Sequence, residues 1–243
     1  MTKYEELAKI IKEAKVITIL SGAGLSTESG IPDFRSSQGV YTQFDNVEYL
    51  ISETYFRNQP EKFWQSFKEI FKVKLADNYQ PNIGHTFLVE LENMGKQVHV
   101  LTQNVDGLHK KAGSKHVYEL HGTIHTATCP KCRKKYDLTA INQEEIPRCS
   151  EDQQILKPDV VLFGGAVQYI EEAFDLAAEA DVFMVLGSSL TVYPVSAIPE
   201  SLQHVKRVAK VIINKDKTYA DSFCDFVFHE PIGEVVRQMK KYL

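Results

Sequence analysis

No stretch of this 243-residue chain is apolar for the about eighteen residues that a membrane span needs, so no spanning helix is expected. The first residues, MTKYEELAKIIKEAK, carry charge where a secretory signal would be apolar; export is not expected, and a cytoplasmic location is. Excess positive charge is missing too. Lys and Arg total 28 against 32 Asp and Glu, a net charge of -4, which gives no global attraction to nucleic acid. Cysteine is scarce: of the four, two stand in Cys129-Pro130-Lys131-Cys132, a spacing that favours a metal site in a reducing compartment over a disulfide framework. The chain has no internal repeat and no low-complexity linker. It also lacks the G-x-G-x-x-G turn of an ordinary dinucleotide-binding protein, and no cysteine or serine has an evident partner base that would make it a nucleophile.

What is present is a core of normal size, 43% hydrophobic, enough for one large domain or a large and a small one. Leu7, Ile10, Ile11 and Ala14 are spaced as a helix before the apolar run Val16 to Leu20, and Phe87, Leu88, Leu91 and Met94 repeat that pattern before QVHVL. Further β-rich runs are His116 to Leu120, Asp159 to Leu162, Asp181 to Leu186 and Val208 to Ile213, with VQYIEEAFDLAAEA read as a helix. The alternation predicts an α/β fold: a Rossmann-like parallel sheet covered on both faces. Residues 36–80, aromatic and helical, and 122–157, with three cysteines, interrupt the pattern. They are read as a helical insertion and a zinc-ribbon-like insertion that form a smaller lobe, leaving 1–35, 81–121 and 158–243 to the Rossmann-like domain.

In such sheets ligands lie beyond the carboxyl ends of the strands, so the residues after each run carry the chemistry. In SGAGLSTESGIPDFR, residues 21–35, Gly22 and Gly24 would let backbone N–H groups approach a pyrophosphate, unless the loop is a plain tight turn. Pro32 stops any helix soon after it starts. Arg35 suits a phosphate, and Phe34 can shield a reacting ribose from water. Gln103, Asn104 and Asp106 concentrate amides and a carboxylate at the sheet's rim; helix capping is the alternative. His121 follows VYEL, where an imidazole suits general base work at neutral pH, although a lone histidine is more often structural. His85, His109, His116 and His125 keep the structural reading. Gly187, Ser188, Ser189 and Asn214 follow the last central strands, where an adenosine would lie.

Taken in order, GAGLSTESGIPDFR, TQNVDGLH, ELHGT, the cysteine insertion, KPDVVLFGG, GSSLTVYPVS and IINKDKT resemble the sirtuins, NAD-dependent protein lysine deacylases, over nearly the whole chain. The resemblance implies NAD as co-substrate, removal of acetyl from lysine side chains of proteins or peptides, and release of nicotinamide and O-acetyl-ADP-ribose. It places Ala23, Ser26, Asp33, Phe34 and Arg35 in the cofactor loop, gives Asp106 the nicotinamide, and sets Asn104 and Gln103 around its ribose. Gly187, Ser188, Ser189 and Asn214 take the adenosine, with Lys215 and Asp216 nearby. His121 becomes the base that accepts a ribose hydroxyl proton. Val161, Phe163 and Gly164 pair by backbone with the substrate peptide; here the family often has Glu where this chain has Gly165.

Rival activities are a protein ADP-ribosyltransferase on the same fold and a deacylase preferring longer apolar acyl groups. A dehydrogenase would need an acidic ribose reader on a second strand, and none is readable between residues 36 and 80. A nucleic-acid module built on Lys131, Arg133, Lys134 and Lys135 has little aromatic interleaving beyond Tyr136. Succinyl- and malonyl-preferring sirtuins carry Tyr-x-x-Arg where alignment on Pro60 and Trp64 puts Phe67 and Ile70, so an apolar acyl group is expected. For zinc, Cys129, Cys132 and Cys149 follow the ribbon spacing, but the fourth position is Asp152. A structural zinc held by these four is expected; a ribbon that has lost its metal is the competing reading. Cys224, in DSFCDFVF, reads as a core residue.

Overall fold

The computed structural model describes residues 2–37 and 39–243. Its strands, in chain order, are β1 (Val16–Ser21), β2 (Gln97–Thr102), β3 (His116–Glu119), β4 (Gly122–Thr128), β5 (Lys135–Asp137), β6 (Lys157–Val160), β7 (Val182–Leu186), β8 (Ala209–Ile213) and β9 (Phe226–Phe228). Six of them make a parallel sheet in the order β3-β2-β1-β7-β8-β9. Counted within that sheet alone the order is 3-2-1-4-5-6, the doubly wound Rossmann arrangement, and it reverses direction between β1 and β7.

The sheet's two faces bury separate cores because successive side chains point to opposite sides. Ile17, Ile19, Val98, Val100 and Met184 face the helices Lys3–Glu13, Ile83–Asn93 and Ile232–Met239, while Leu20, Leu101, Phe183 and Val185 face Ile170–Glu179 and Ala197–Ser201. The first helix starts at Thr2, whose hydroxyl accepts the Glu5 N–H, and carries Glu5 and Glu6 at its positive end. Leu7 and Ile11, one turn apart, are wholly buried, each contributing about 1.5–3 kcal/mol; Leu7→Ala would cost about 2–5 kcal/mol. Among the described residues no helix is long and apolar enough to cross a membrane.

The run expected to join the parallel sheet at Asp159 to Leu162 does not. Its first part is β6, which pairs antiparallel with β4 in a second, three-stranded sheet of order β5-β4-β6. Apolar alternation marks a strand but not its partner, and here the β-ribbon beside it supplies one. This small sheet and the aromatic helices share a single core: Phe63, Trp64, Phe67 and Ile70 from helix Pro60–Ile70 pack with Ile124, Ala127, Cys129, Ile141, Cys149 and Leu156. Two polar links cross it. Trp64 Nε1 donates to the Leu156 carbonyl at 2.7 Å, and the buried Lys68 Nζ donates to the carbonyls of Ile141 and Glu144, each at 2.5 Å. The two insertions are thus one lobe.

Candidate active site

At the reversal in strand order, the loops after β1 and β7 cross so closely that neither tolerates a side chain. A Cβ on Gly22 would stand 2.7 Å from the Gly187 carbonyl oxygen, one on Gly24 would stand 2.9 Å from the same atom, and Gly187 itself has φ +65°. The crossing uses the glycines' own N–H groups: Gly22 N–H donates to Leu186 O and Gly24 N–H to Gly187 O, both at 2.9 Å. That revises the sequence reading in part. These glycines serve the close approach of two loops; of residues 22–24, the N–H without a backbone partner among the described residues is that of Ala23. The helix that follows is a 3₁₀ helix, Ala23–Ser29, ended by Gly30 before Pro32.

A cleft of about 310 Å³ opens beyond this crossing. It is lined by the cofactor-loop residues Gly22, Ala23, Gly24, Ser26, Asp33, Phe34 and Arg35, by Gln103, Asn104, Asp106 and His121, and by Gly187, Ser188, Ser189, Asn214 and Asp216. Val161, Phe163, Gly164 and Gly165 border it as well. Lys215 does not; it is exposed outside the lining. Sequence reasoning missed the apolar wall of Val40, Ile51, Ile124 and Val160, which only the lobe's packing brings to the cleft.

The polar groups are tied to one another. Ser26 Oγ donates to Asp106 Oδ2 at 2.6 Å, and the buried Asn104 Nδ2 donates to Ser26 Oγ at 3.2 Å and to the Gly22 carbonyl at 3.1 Å. Asp106 Oδ1 accepts the Leu108 N–H at 2.9 Å; the N-cap of helix Leu108–Ala112 is Gly107, so Asp106 stands one residue before the cap and is not itself the cap. Burial pushes the Asp106 carboxyl up, while the Ser26 and Leu108 hydrogen bonds pull it down. Gln103 Nε2 donates to Ser188 Oγ at 2.8 Å, joining the rim of β2 to that of β7.

His121 sits in the turn between β3 and β4. Its Nδ1 lies 3.1 Å from the Gln103 carbonyl, which can only accept, so Nδ1 carries the proton and Nε2 keeps its lone pair. Nε2 has no hydrogen-bond partner among the described residues. Burial lowers the imidazole's pKa from its ordinary value, the Gln103 bond opposing this, and the neutral base is thereby favoured at neutral pH. Of the histidines read as structural, His109 is buried with Nε2 2.8 Å from Ser21 Oγ, and His125 Nε2 lies 2.9 Å from the Asp106 carbonyl.

Beside His121, the segment 161–165 is anchored on one side only. Val161 N–H donates to the His121 carbonyl at 2.8 Å; Phe163 N–H donates to Ile51 O and Phe163 O accepts the Glu53 N–H, both at 3.0 Å. Gly164, with φ +90°, has no backbone partner among the described residues for either its N–H or its C=O. An edge of this kind accepts an added strand.

In the ribbon, ligand atoms of Cys129, Cys132, Cys149 and Asp152 lie within 4.8 Å of one another. Cys132 Sγ to Cys149 Sγ and Cys129 Sγ to Asp152 Oδ1 are both 3.5 Å, close to the edge of about 3.8 Å of a tetrahedron with metal–sulfur bonds of about 2.3 Å. Tyr136 Oη donates to Cys149 Sγ at 3.2 Å. The four residues fit a zinc ion, and none of them lines the cleft. Cys224 is no part of this cluster and packs, partly buried, against the sheet's second core.

A crevice at the switch point of this strand order is where doubly wound α/β proteins bind nucleotides, and here an open backbone edge and an imidazole share it. Comparison narrows the class. The Sir2 family model matches residues 22–194. NAD-dependent protein deacetylase 2 of Geobacillus kaustophilus strain HTA426 is 52% identical over 244 residues, covering 100% of this chain and 99% of that one. The NAD-dependent protein deacetylase of Bacillus subtilis strain 168 is 46% identical, over 97% and 98%. A solved structure of Sir2 with a p53 peptide and NAD+ superposes with a TM-score of 0.85 at 32% identity, over 99% of this chain and 98% of the other. One bound to a propionylated peptide does so with a TM-score of 0.85 at 31% identity, over the same shares. The chain belongs to the Sir2 family.

Proposed function

We infer that this protein is an NAD-dependent protein lysine deacetylase. The observation that carries the reading is His121 Nε2, without a hydrogen-bond partner among the described residues, in the same cleft as the β1–β7 crossing and the edge at Gly164. Relatives over the full chain are named for that activity, which agrees. NAD, as co-substrate, supplies a nicotinamide–ribose bond whose cleavage drives transfer of the acetyl group from lysine to ADP-ribose.

The chain's own residues then have these tasks. Ala23 and Arg35 take the phosphates; Ser188, Ser189, Asn214 and Asp216 take the adenosine end, with Lys215 outside it. Asp106, tied to Asn104 through Ser26, binds and orients the nicotinamide, and Asn104 and Gln103 order the site around the adjoining ribose. Phe34, whose ring lies 6.0 Å from Tyr41 and 6.2 Å from Phe71, excludes water. His121 accepts a proton at Nε2 while Nδ1–H stays on the Gln103 carbonyl, which stabilises the imidazolium that forms. Val161, Phe163 and Gly164 guide a peptide bearing acetyl-lysine along the cleft. Zinc held by Cys129, Cys132, Cys149 and Asp152 would be structural, closing the ribbon with all four positions filled by protein. The test is nicotinamide release by the purified chain with NAD: release that depends on an acetyl-lysine peptide is expected, and release independent of peptide, or none, would refute the reading.

A further inference from the structure

The open edge ends in a tight turn, Leu162–Gly165, closed by the Gly165 N–H on the Leu162 carbonyl at 2.8 Å. Gly165 is not in the left-handed region, so its backbone does not demand glycine. The room is narrow. A Cβ there would stand 3.0 Å from the Leu162 carbonyl oxygen, tighter than an ordinary contact, and 3.4 Å from Glu53 Oε1, so a carboxylate from another element already borders the space beside 165.

That carboxylate is fixed. Lys157 Nζ, on β6, lies 2.6 Å from Glu53 Oε1, and the Glu53 side chain is 25% exposed. The same residue's N–H holds the Phe163 carbonyl, and the bridge Ser52 to Phe163 continues the contact. Both polar backbone groups of Phe163 are taken by the helical insertion, while Gly164, next in the turn, lines the cleft with neither its N–H nor its C=O bonded to backbone among the described residues. Glu53 thus holds the segment by backbone at 163 and stands in contact range beside 165.

We propose that Glu53, clamped by Lys157, is a positioning residue for the substrate peptide: it props the 162–165 turn so that Gly164 presents its N–H and C=O to the incoming strand, and glycine at 165 is the room this requires. The proposal rests on the deacetylase reading and deepens it. Removing the carboxylate leaves the Lys157 ammonium without its partner and the turn without its support, which weakens peptide binding and leaves the NAD site and His121 untouched.

Steady-state kinetics of the full chain with an acetyl-lysine peptide and NAD test this. E53A is expected to raise the peptide KM about tenfold, the scale of losing one charged hydrogen bond, with kcat and the KM for NAD within about twofold of the unaltered protein. G165E alone is expected to raise it as well, since two carboxylates then contend for one lysine. Combined, E53A and G165E are expected to give a peptide KM below that of either single variant, because the new glutamate takes the vacated place beside Lys157. Unrelated structural damage at two sites would instead add. E53Q, which keeps the side-chain volume, carries the same KM expectation if E53A melts well below the unaltered protein. An unchanged peptide KM in both E53A and E53Q, or additive losses in the double variant, overturns the proposal alone. No peptide-dependent nicotinamide release by the unaltered chain overturns the deacetylase reading, and the proposal with it.

Discussion

Alanine at position 122 would collide with the strand opposite. Gly122 has φ +75°, pairs with Val160 in register, and a Cβ built on it would stand 2.0 Å from the Asp159 carbonyl oxygen. Carbon and oxygen in non-bonded contact approach to about 3.3 Å, so the two strands must part by about 1.3 Å. The left-handed backbone costs about 1–2 kcal/mol for a residue with a side chain. Forced repacking adds about 1–3 kcal/mol. Together these amount to about 2–5 kcal/mol, a fall in Tm of roughly 4–20 °C for a chain of this size. The displacement falls on the neighbour that matters: His121 is the preceding residue, and its carbonyl holds Val161 on the strand being pushed away. A shift of about 1 Å in a reacting group can lower kcat about 100-fold. Gly122→Ala is therefore expected to keep NAD affinity, since the β1–β7 crossing is elsewhere, while losing stability and turnover together. Circular dichroism melts and single-turnover formation of the deacetylated peptide measure both. A variant melting within about 2 °C of the parent with near-full kcat would refute the reasoning.

His121→Ala should abolish deacetylation with the fold and most NAD affinity retained; because burial lowers the imidazole's pKa in the free protein, the acid limb of kcat/KM should have its midpoint below pH 6.5, and a midpoint above that value would contradict the assigned environment. Acetyl peptide should exceed succinyl peptide in kcat/KM by at least about 100-fold, as an unpaired buried carboxylate would meet Val40, Ile51, Ile70 and Phe71; equal or faster succinyl turnover would sink this. Elemental analysis should find one zinc per chain, and Asp152→Ala should lose it to a chelator faster than the parent; full retention would remove that residue from the ligand set. Acid stability carries a separate signature. His85, buried and held neutral with a pKa lowered to about 4, is protonated at 6.5 only in the unfolded chain, so stability should fall as pH drops from 6.5 to about 4. His85→Gln should reduce the slope of that stretch of the Tm profile, the rest coming from His99, His109 and His121, whose pKa values burial also lowers, and an unchanged slope would count against it.

Where the chain's periodicity is local, the sequence was a good guide. Strands β1, β2, β7 and β8 are rich in Val, Ile and Leu because parallel strands are buried on both faces, with Thr18, His99 and Lys210 as buried polar interruptions, and the residues that follow each strand line the crevice. Long-range contact is where it failed. Nothing near Gly22 announces that its N–H is taken by Leu186, and nothing in KPDVVLFGG says that its first half pairs with β4 rather than with the large sheet. Gly165 reads as a bare departure from the family until Glu53, more than a hundred positions earlier, is seen beside it. The resemblance set Lys215 near the adenosine residues; in the structure it follows β8 in a bend, exposed and outside the cleft lining.

The bonds from Trp64 and Lys68 to the ribbon set an order of events during synthesis. Trp64 leaves the ribosome 92 residues before Leu156, the carbonyl it will bind. At about 5–20 residues per second that is a delay of about 5–18 s. Throughout it, the aromatic face of Phe63, Trp64 and Phe67 has no ribbon to cover it. The nascent chain thus carries this aromatic helix uncovered for seconds, the interval in which a chaperone has most to do for this protein.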